Sequence, residues 1–151
     1  MSLQDWKNNG WLKPHCTSAE EIANLFAIAQ RDLSNAANQG LSADWKFGIA
    51  YNAALKLCTI VLYAEGYCPE NSLAHYRTIM SLKEVDCQNW KDYATYLNAC
   101  RIKRNTMEYD KADVIPEEDA IHLLRFTTSF SVEVKDFITK KHPEVLSSIT
   151  P

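Results

Sequence analysis

The polar residues near the end of the fourth predicted helix have types and spacing that could do chemistry. Arg101, Arg104, Asn105, Glu108 and Tyr109 lie within nine consecutive positions, and on a helix they fall within an arc of roughly 140°. Two arginines one turn apart can bind the oxygens of a phosphate, while Asn105 adds an amide and Tyr109 a hydroxyl or a stacking face. The pattern predicts a phosphate site in which all five side chains face one cleft or one partner surface.

The same spacing also fits an ordinary ion pair between Arg104 and Glu108, which are one helical turn apart. An exposed pair of this kind stabilises a helix by only about a few tenths of a kcal/mol. Extending the apolar stripe of the helix by four residues from Cys100 reaches Arg104, so a charge stands where core is expected. Spacing alone leaves the ion pair and the phosphate site open.

Five helical segments must position these side chains, because hydrophobic residues recur every three or four positions between the few glycines and prolines. Ser18 and Ser42 are predicted caps of the first two helices, and Asn71 or Ser72 caps the third. The second helix is apolar almost all round, which predicts the central, most buried element. No segment is predicted to be a strand. The predicted helices span residues 18–38, 42–66, 72–84, 88–109 and 116–141.

Length and composition favour one domain covering residues 1–151, since 151 residues and 46% hydrophobic content suffice for a single packed core. An N-terminal arm at 1–16 is expected to lay Trp6 and Trp11 over the helices, and a short tail occupies 142–151. The expected fold class is all-α, an antiparallel four-helix bundle with an additional short helix.

Charge, cysteine content and hydropathy exclude several classes of function. A net charge of −3 lacks the electropositive footprint of proteins that bind duplex nucleic acid without sequence preference. Five cysteines without a CxxC pair or zinc-type spacing predict reduced thiols, no metal site and no cofactor. The first residues lack the apolar stretch of a signal peptide, and no run approaches the ~18 apolar residues of a membrane span. A cytoplasmic protein without a membrane partner is expected.

Three short motifs point to a family. The sequence AYNAAL occupies residues 50–55 of the second helix, and a Gly66-Tyr67 turn precedes His75 on the short third helix. The most specific motif is RNTMEYD at residues 104–110, in which an arginine, a polar residue and spacers lead to a tyrosine. Over roughly residues 18–140 the chain resembles the HEPN domains, a family of small helical-bundle proteins.

The resemblance implies an activity. HEPN domains with the full signature act as metal-independent ribonucleases: two subunits bring their motifs together, the arginine holds the scissile phosphate, and a histidine assists attack by the ribose 2′-hydroxyl. Arg104 and Asn105 match the signature, but Tyr109 stands where the histidine would be, and a phenol with a pKa near ~10 is a poor base at neutral pH. His75 is the candidate substitute base.

Three functions follow from these expectations. The first is a HEPN-like homodimer that binds RNA or a nucleotide phosphate through Arg101 and Arg104, with little or no catalysis. The second is a ribonuclease toxin paired with a nucleotidyltransferase-type antitoxin; in some such pairs the partner transfers AMP to a tyrosine near the signature, which makes Tyr109 a candidate acceptor. The third is a structural adaptor whose polar residues fix the register of a dimer.

The remaining polar residues are expected to be structural. The phenol of Tyr51 and the amide of Asn52 should be hydrogen-bonded inside the bundle. The other histidines, at positions 15, 122 and 142, are expected to be solvated.

Overall fold

Helices make up most of the chain, as the hydrophobic periodicity predicts. The computed structural model describes residues 1–109 and 114–146, except for the side chains of residues 107–109. The α-helices are α1 (Leu3–Asn8), α2 (Ala19–Ala36), α3 (Ala43–Ala64), α4 (Ala74–Met80), α5 (Trp90–Tyr109) and α6 (Glu117–Lys141), with 3-10 turns at Ser81–Glu84 and Pro143–Leu146 and two strands, β1 (Leu12–Pro14) and β2 (Tyr67–Pro69). The mostly helical fold class is confirmed.

Helix α3 is the centre of the core, which confirms the prediction from its all-round apolar surface. It packs most extensively against α2 and α6, and it also contacts α4 and α5. Phe47, Leu57 and Ile60 are fully buried along it. Because an apolar helix buries all its faces only when other elements surround it, α3 becomes the scaffold on which the other helices are placed.

The predicted caps of α2 and α3 are confirmed. The Ser18 hydroxyl accepts a hydrogen bond from the backbone N–H of Glu21 at 3.1 Å, and the Ser42 hydroxyl accepts one from Trp45 at 3.4 Å. Gly66, just beyond α3, has a φ of +97°, a left-handed conformation that glycine adopts without steric cost. These local signals were visible in the sequence because caps depend on neighbouring residues only.

The predicted cap of α4 is wrong. The helix begins at Ala74, and its N-cap residue is Leu73, whose φ of +56° is left-handed and whose side chain makes no capping hydrogen bond. A left-handed residue cannot continue a right-handed helix toward Ser72, so the start moves to Ala74. The helix also ends early, at Met80, and a 3-10 turn carries the chain to Glu84.

A small antiparallel sheet contradicts the expectation that the chain has no strand. Leu12 of β1 pairs with Pro69 of β2, and Pro14 pairs with Tyr67. Each strand has three residues, which is too short for an alternating pattern to stand out in a sequence. The pairing ties the N-terminal arm to the turn after α3, and the arm buries Leu3, Trp6 and Leu12 against Leu62 of α3 in a cluster separate from the main core.

Helix α3 differs from the expectation that no segment is apolar enough to span a membrane. By length and composition it could cross a membrane. Its hydropathy has another explanation in this fold, because most of the helix is buried among the others. All five cysteines are free thiols, as predicted.

A candidate anion-binding site between helices α3, α4 and α5

Four cationic or titratable side chains gather where α3, α4 and α5 meet. Lys56 comes from α3, His75 from α4, and Arg101 and Arg104 from α5; we call these four residues the cation cluster. Their proximity is evident at His75, whose pKa is lowered first by partial burial and then by the positive charges of Arg104, Lys56 and Arg101. Three helices therefore converge to place like charges together, an arrangement that an anion would relieve.

Arg104 lies over the ring of Tyr51. Its Cζ is 5.5 Å from the ring centroid, its Nε is buried, and the residue as a whole is half-buried. Arg104 follows Cys100 by one helical turn, so it extends the buried stripe of α5 instead of pointing into bulk solvent. This is the placement that the phosphate hypothesis requires of position 104.

Arg101 is held by two neighbouring side chains, Tyr76 and Asn98. Its Cζ lies 5.4 Å from the centroid of the Tyr76 ring, and its Nε donates a hydrogen bond to Asn98 Oδ1 at 2.9 Å. Among the residues that the structure describes, no carboxylate lies within ion-pair distance of Arg101 or of Lys56. The stacked face and the Nε contact leave the terminal N–H groups of Arg101 available to a ligand.

Tyr51 corrects the expectation that its phenol is hydrogen-bonded. The side chain is 1% exposed, and within the described part of the chain its hydroxyl has no hydrogen-bond partner. Burial raises the pKa of Tyr51 to about 12, against the opposing influence of the charges of Arg101 and Arg104. The guanidinium carbon of Arg104 lies over the ring, and no described group takes the hydroxyl. A buried hydroxyl without a partner is unfavourable, and a ligand would meet this donor only if the packing of Arg104 over the ring opened.

The other predicted site residues are placed differently or fall outside the description. Asn105 is exposed, in contrast to the half-buried Arg101 and Arg104. The side chains of Glu108 and Tyr109 lie outside the described residues. Their predicted roles, including the ion pair with Arg104, therefore stay predictions.

Sequence reasoning missed two members of this region. Lys56 is a charge within an apolar helix, the same signal that singled out Arg104, and it could have been found in that way. Tyr76 fits the apolar stripe of its helix, which by spacing alone favours a core residue; only the fold reveals that its ring supports Arg101.

The remaining histidines form local contacts away from the cluster. The expectation of solvation is wrong for two of them: His15 is half-buried with Nε2 2.7 Å from Glu21 Oε1, and His142 is half-buried with Nε2 2.6 Å from Glu65 Oε2. His122 is exposed, and its Nδ1 lies 2.7 Å from the Tyr96 hydroxyl. Each of these rings has a structural partner, which leaves His75 as the histidine beside the arginines.

The site offers cations and hydrogen-bond donors, without a nucleophilic thiol. Burial raises the pKa of Cys100, the neighbour of Arg101, to about 11, so this thiol stays protonated at neutral pH. No group of three or more histidine, cysteine, aspartate or glutamate side chains that could hold a metal occurs among the described residues. The chemistry that the site supports is the binding of an anion.

Comparisons of the chain with protein-family models, with curated proteins and with solved structures found no match. No relative therefore supports the resemblance to the HEPN domains, and the function has to be argued from the cation cluster.

Proposed function

We propose that the chain is a binding module for RNA or a nucleotide, in which the cation cluster holds a phosphate with little or no catalysis. The observation that carries the proposal is the pair of half-buried, ring-stacked arginines on α5, of which Arg101 has no carboxylate partner among the described residues. The chain as a whole has a net charge of −3. A group of cations in an acidic chain, of which Arg101 and Lys56 have no carboxylate within ion-pair distance among the described residues, is typical of a site for an anionic ligand.

The geometry of stacked arginines suits a phosphate. At Arg101 the ring of Tyr76 and the Nε bond to Asn98 leave the terminal N–H groups, which can fork onto phosphate oxygens. Partial burial of Arg101 and Arg104 lowers the local dielectric constant, so each charge-assisted hydrogen bond is stronger than it would be at the surface.

The finer architecture and the assembly belong to the same proposal. We expect α2, α3, α5 and α6 to form an antiparallel four-helix bundle of the HEPN type, and we expect two copies to pair so that the ends of their α5 helices share a groove. The support is the resemblance of residues 104–110 to the HEPN signature, together with the position of this motif at the end of α5. A cytoplasmic location completes the proposal.

Titration with inorganic phosphate, uridine monophosphate and a uridine oligomer, followed by calorimetry, tests the proposal. We expect Arg104→Ala to weaken the binding of uridine monophosphate at least about tenfold, the loss expected for a charge-assisted hydrogen bond. Arg125→Ala, on the exposed face of α6, should leave the affinity unchanged. A folded Arg104→Ala protein that binds as tightly as the wild type would contradict the proposal. Arg104→Leu with raised stability, unchanged binding and an altered oligomeric state would favour a structural adaptor instead.

A metal-independent ribonuclease is the second candidate, and one observation favours it. His75 is a titratable imidazole on which the positive charge of Arg104 acts, so a candidate base and a candidate phosphate-binding cation influence each other. RNA cleavage by the purified protein that both His75→Ala and Arg104→Ala abolish would support it. If the wild-type protein leaves RNA intact, the ribonuclease is excluded and the binding module stands.

A nucleotidyltransferase-type partner would act on the tyrosine of the signature. Coexpression with such a partner, followed by mass spectrometry, should then reveal AMP on Tyr109. Unmodified Tyr109 would argue against this pairing.

A further inference from the structure

Arg77, which sequence reasoning passed over, is fixed between the N-terminal arm and α4. Its Cζ lies 4.4 Å from the centroid of the Trp11 ring and 5.8 Å from that of the Tyr76 ring. Trp11 is itself held in place: its carbonyl accepts a hydrogen bond from the backbone N–H of Glu70 at 3.0 Å, and its ring packs edge-on against Trp6 at 5.5 Å. The guanidinium is therefore supported by parts of the chain that are distant in sequence.

Arg77 also has no counter-charge in the part of the chain that the structure describes. Within the described residues no carboxylate lies within ion-pair distance of it, although it is half-buried. A guanidinium that lies over an aromatic ring, as Arg77 lies over Trp11, can still donate N–H groups to another partner. Arg77 thus repeats the features that mark Arg101 and lies outside the cation cluster.

The Tyr76 ring connects the two positions. The guanidinium carbons of Arg77 and Arg101 lie 5.8 Å and 5.4 Å from its centroid, so they are at most 11.2 Å apart, the sum of the two distances. Going from the arm to α5, the groups alternate between ring and cation: Trp11, Arg77, Tyr76 and Arg101. Surfaces that interleave cations with aromatic rings follow a strand of nucleic acid, because the charges meet phosphates and the rings meet bases.

We propose that Arg77 is a second anion subsite and that the ligand of the whole surface is a single-stranded nucleic acid spanning at least two phosphates. The inference rests on the proposed function, since Arg101 and Arg104 bind the first phosphate. A ligand with one phosphate fills only the cation cluster. A longer strand continues along Tyr76 to Arg77, and the N-terminal arm becomes part of the binding surface through Trp11.

The test compares ligands of different length on the wild-type protein and on Arg77→Gln. Uridine monophosphate, pyrophosphate, uridine oligomers of two to eight nucleotides and the matching deoxythymidine oligomers are titrated at several salt concentrations. We expect Arg77→Gln to weaken oligomer binding about three- to tenfold and to reduce the salt slope by about 0.7, the value for one phosphate contact on a single strand. Its affinity for uridine monophosphate should not change. The RNA and DNA series show whether the strand must carry 2′-hydroxyl groups.

The outcomes separate this inference from the proposed function. One outcome is that Arg104→Ala weakens the binding of uridine monophosphate, while Arg77→Gln leaves the affinity for oligomers unchanged. The second subsite is then excluded and the phosphate site survives. If no nucleotide binds at all, both fail. If Arg77→Gln weakens pyrophosphate and oligomers equally, the ligand is a polyphosphate and the strand is excluded.

Tryptophan fluorescence supplies a second readout. An anion at Arg77 should change the emission of Trp11, so the change on adding an oligomer should disappear in Trp11→Phe and persist in Trp45→Phe, whose tryptophan is 69% exposed. A signal that persists in Trp11→Phe would contradict the placement of the strand near the arm.

Discussion

His75 reports the electrostatics of the cation cluster, because an imidazole titrates close to neutral pH. The charge of Arg104 is the largest electrostatic contribution to its lowered pKa, after partial burial. We therefore expect Arg104→Ala to raise the pKa of His75, and bound phosphate to raise it in the wild-type protein. The measurement is an NMR titration of the histidine ring signals.

The control for this titration is Arg125→Ala, since Arg125 does not contribute to the shift of His75. A His75 pKa that is the same with and without phosphate would place the anion elsewhere. The direction in which pH changes the stability follows from the difference between the pKa of His75 in the folded and in the unfolded chain. The folded state disfavours the protonated ring, so the contribution of His75 to stability is lost as the pH falls through the unfolded pKa, near ~6.5, toward the lower folded value.

Tyr51→Phe separates the structural from the binding role of the buried hydroxyl. Removing a buried donor that has no partner within the described chain should leave the free energy of unfolding unchanged or raise it by about 1 kcal/mol. If the hydroxyl donates to the ligand, the same variant should weaken phosphate binding. Urea unfolding and calorimetry on the same protein check both effects. A loss of more than about 1 kcal/mol would indicate that the hydroxyl has a partner.

At the scale of residues, the sequence identified those candidate site residues whose placement depends only on spacing along one helix. Arg104 could be identified because it interrupts the apolar stripe of α5. The aromatic rings that contact the arginines could not be identified from the sequence. Tyr51 and Tyr76 belong to α3 and α4, and their contacts with α5 form only when the three helices pack together.

Helix α4 begins with a strained residue, which allows a test at the scale of elements. Leu73 has a φ of +56° and is 60% exposed, so its side chain contributes little packing. Because glycine adopts this conformation without steric cost, Leu73→Gly should raise the free energy of unfolding by about 1 kcal/mol, measured by urea unfolding.

Leu73→Ala is the matched control, since alanine keeps the Cβ and hence the strain. It should give no increase in stability. A lower stability for Leu73→Gly than for Leu73→Ala would mean that the flexibility of glycine in the unfolded chain outweighs the strain.

The elements that could be predicted were those with long periodic patterns and local caps, such as α2, α3 and α6. Glu21 illustrates the limit. Its position three residues after the Ser18 cap is typical of a capping box, but its carboxylate binds His15 and Thr17, which precede the helix. The strands β1 and β2 were missed because each consists of three residues that become strands only by pairing with the other.

At the scale of the whole molecule, the N-terminal arm contributes stability through its own small cluster. Trp6 is 7% exposed and packs with Leu3, Leu12 and Leu62. Trp6→Ala should lower the free energy of unfolding by about 3 kcal/mol or more, as expected for truncation of a buried aromatic side chain. Urea unfolding measures the loss.

Trp45→Ala is the control for this experiment, because Trp45 is 69% exposed and its truncation should change the stability by less than about 0.5 kcal/mol. Equal losses for the two variants would mean that the arm does not stabilise the rest of the chain.

The pairing of Leu12 with Pro69 also sets an order of events on the ribosome. Pro69 follows Leu12 by 57 positions, which take about 3 to 11 seconds to make at synthesis rates of about 5–20 residues per second. During that time Trp6 and Leu12 have been translated but have no strand to pair with and no α3 to cover them. The apolar side chains of the arm, Leu3, Trp6 and Leu12, are thus exposed during synthesis until the middle of the chain emerges, and a chaperone can hold them in that interval.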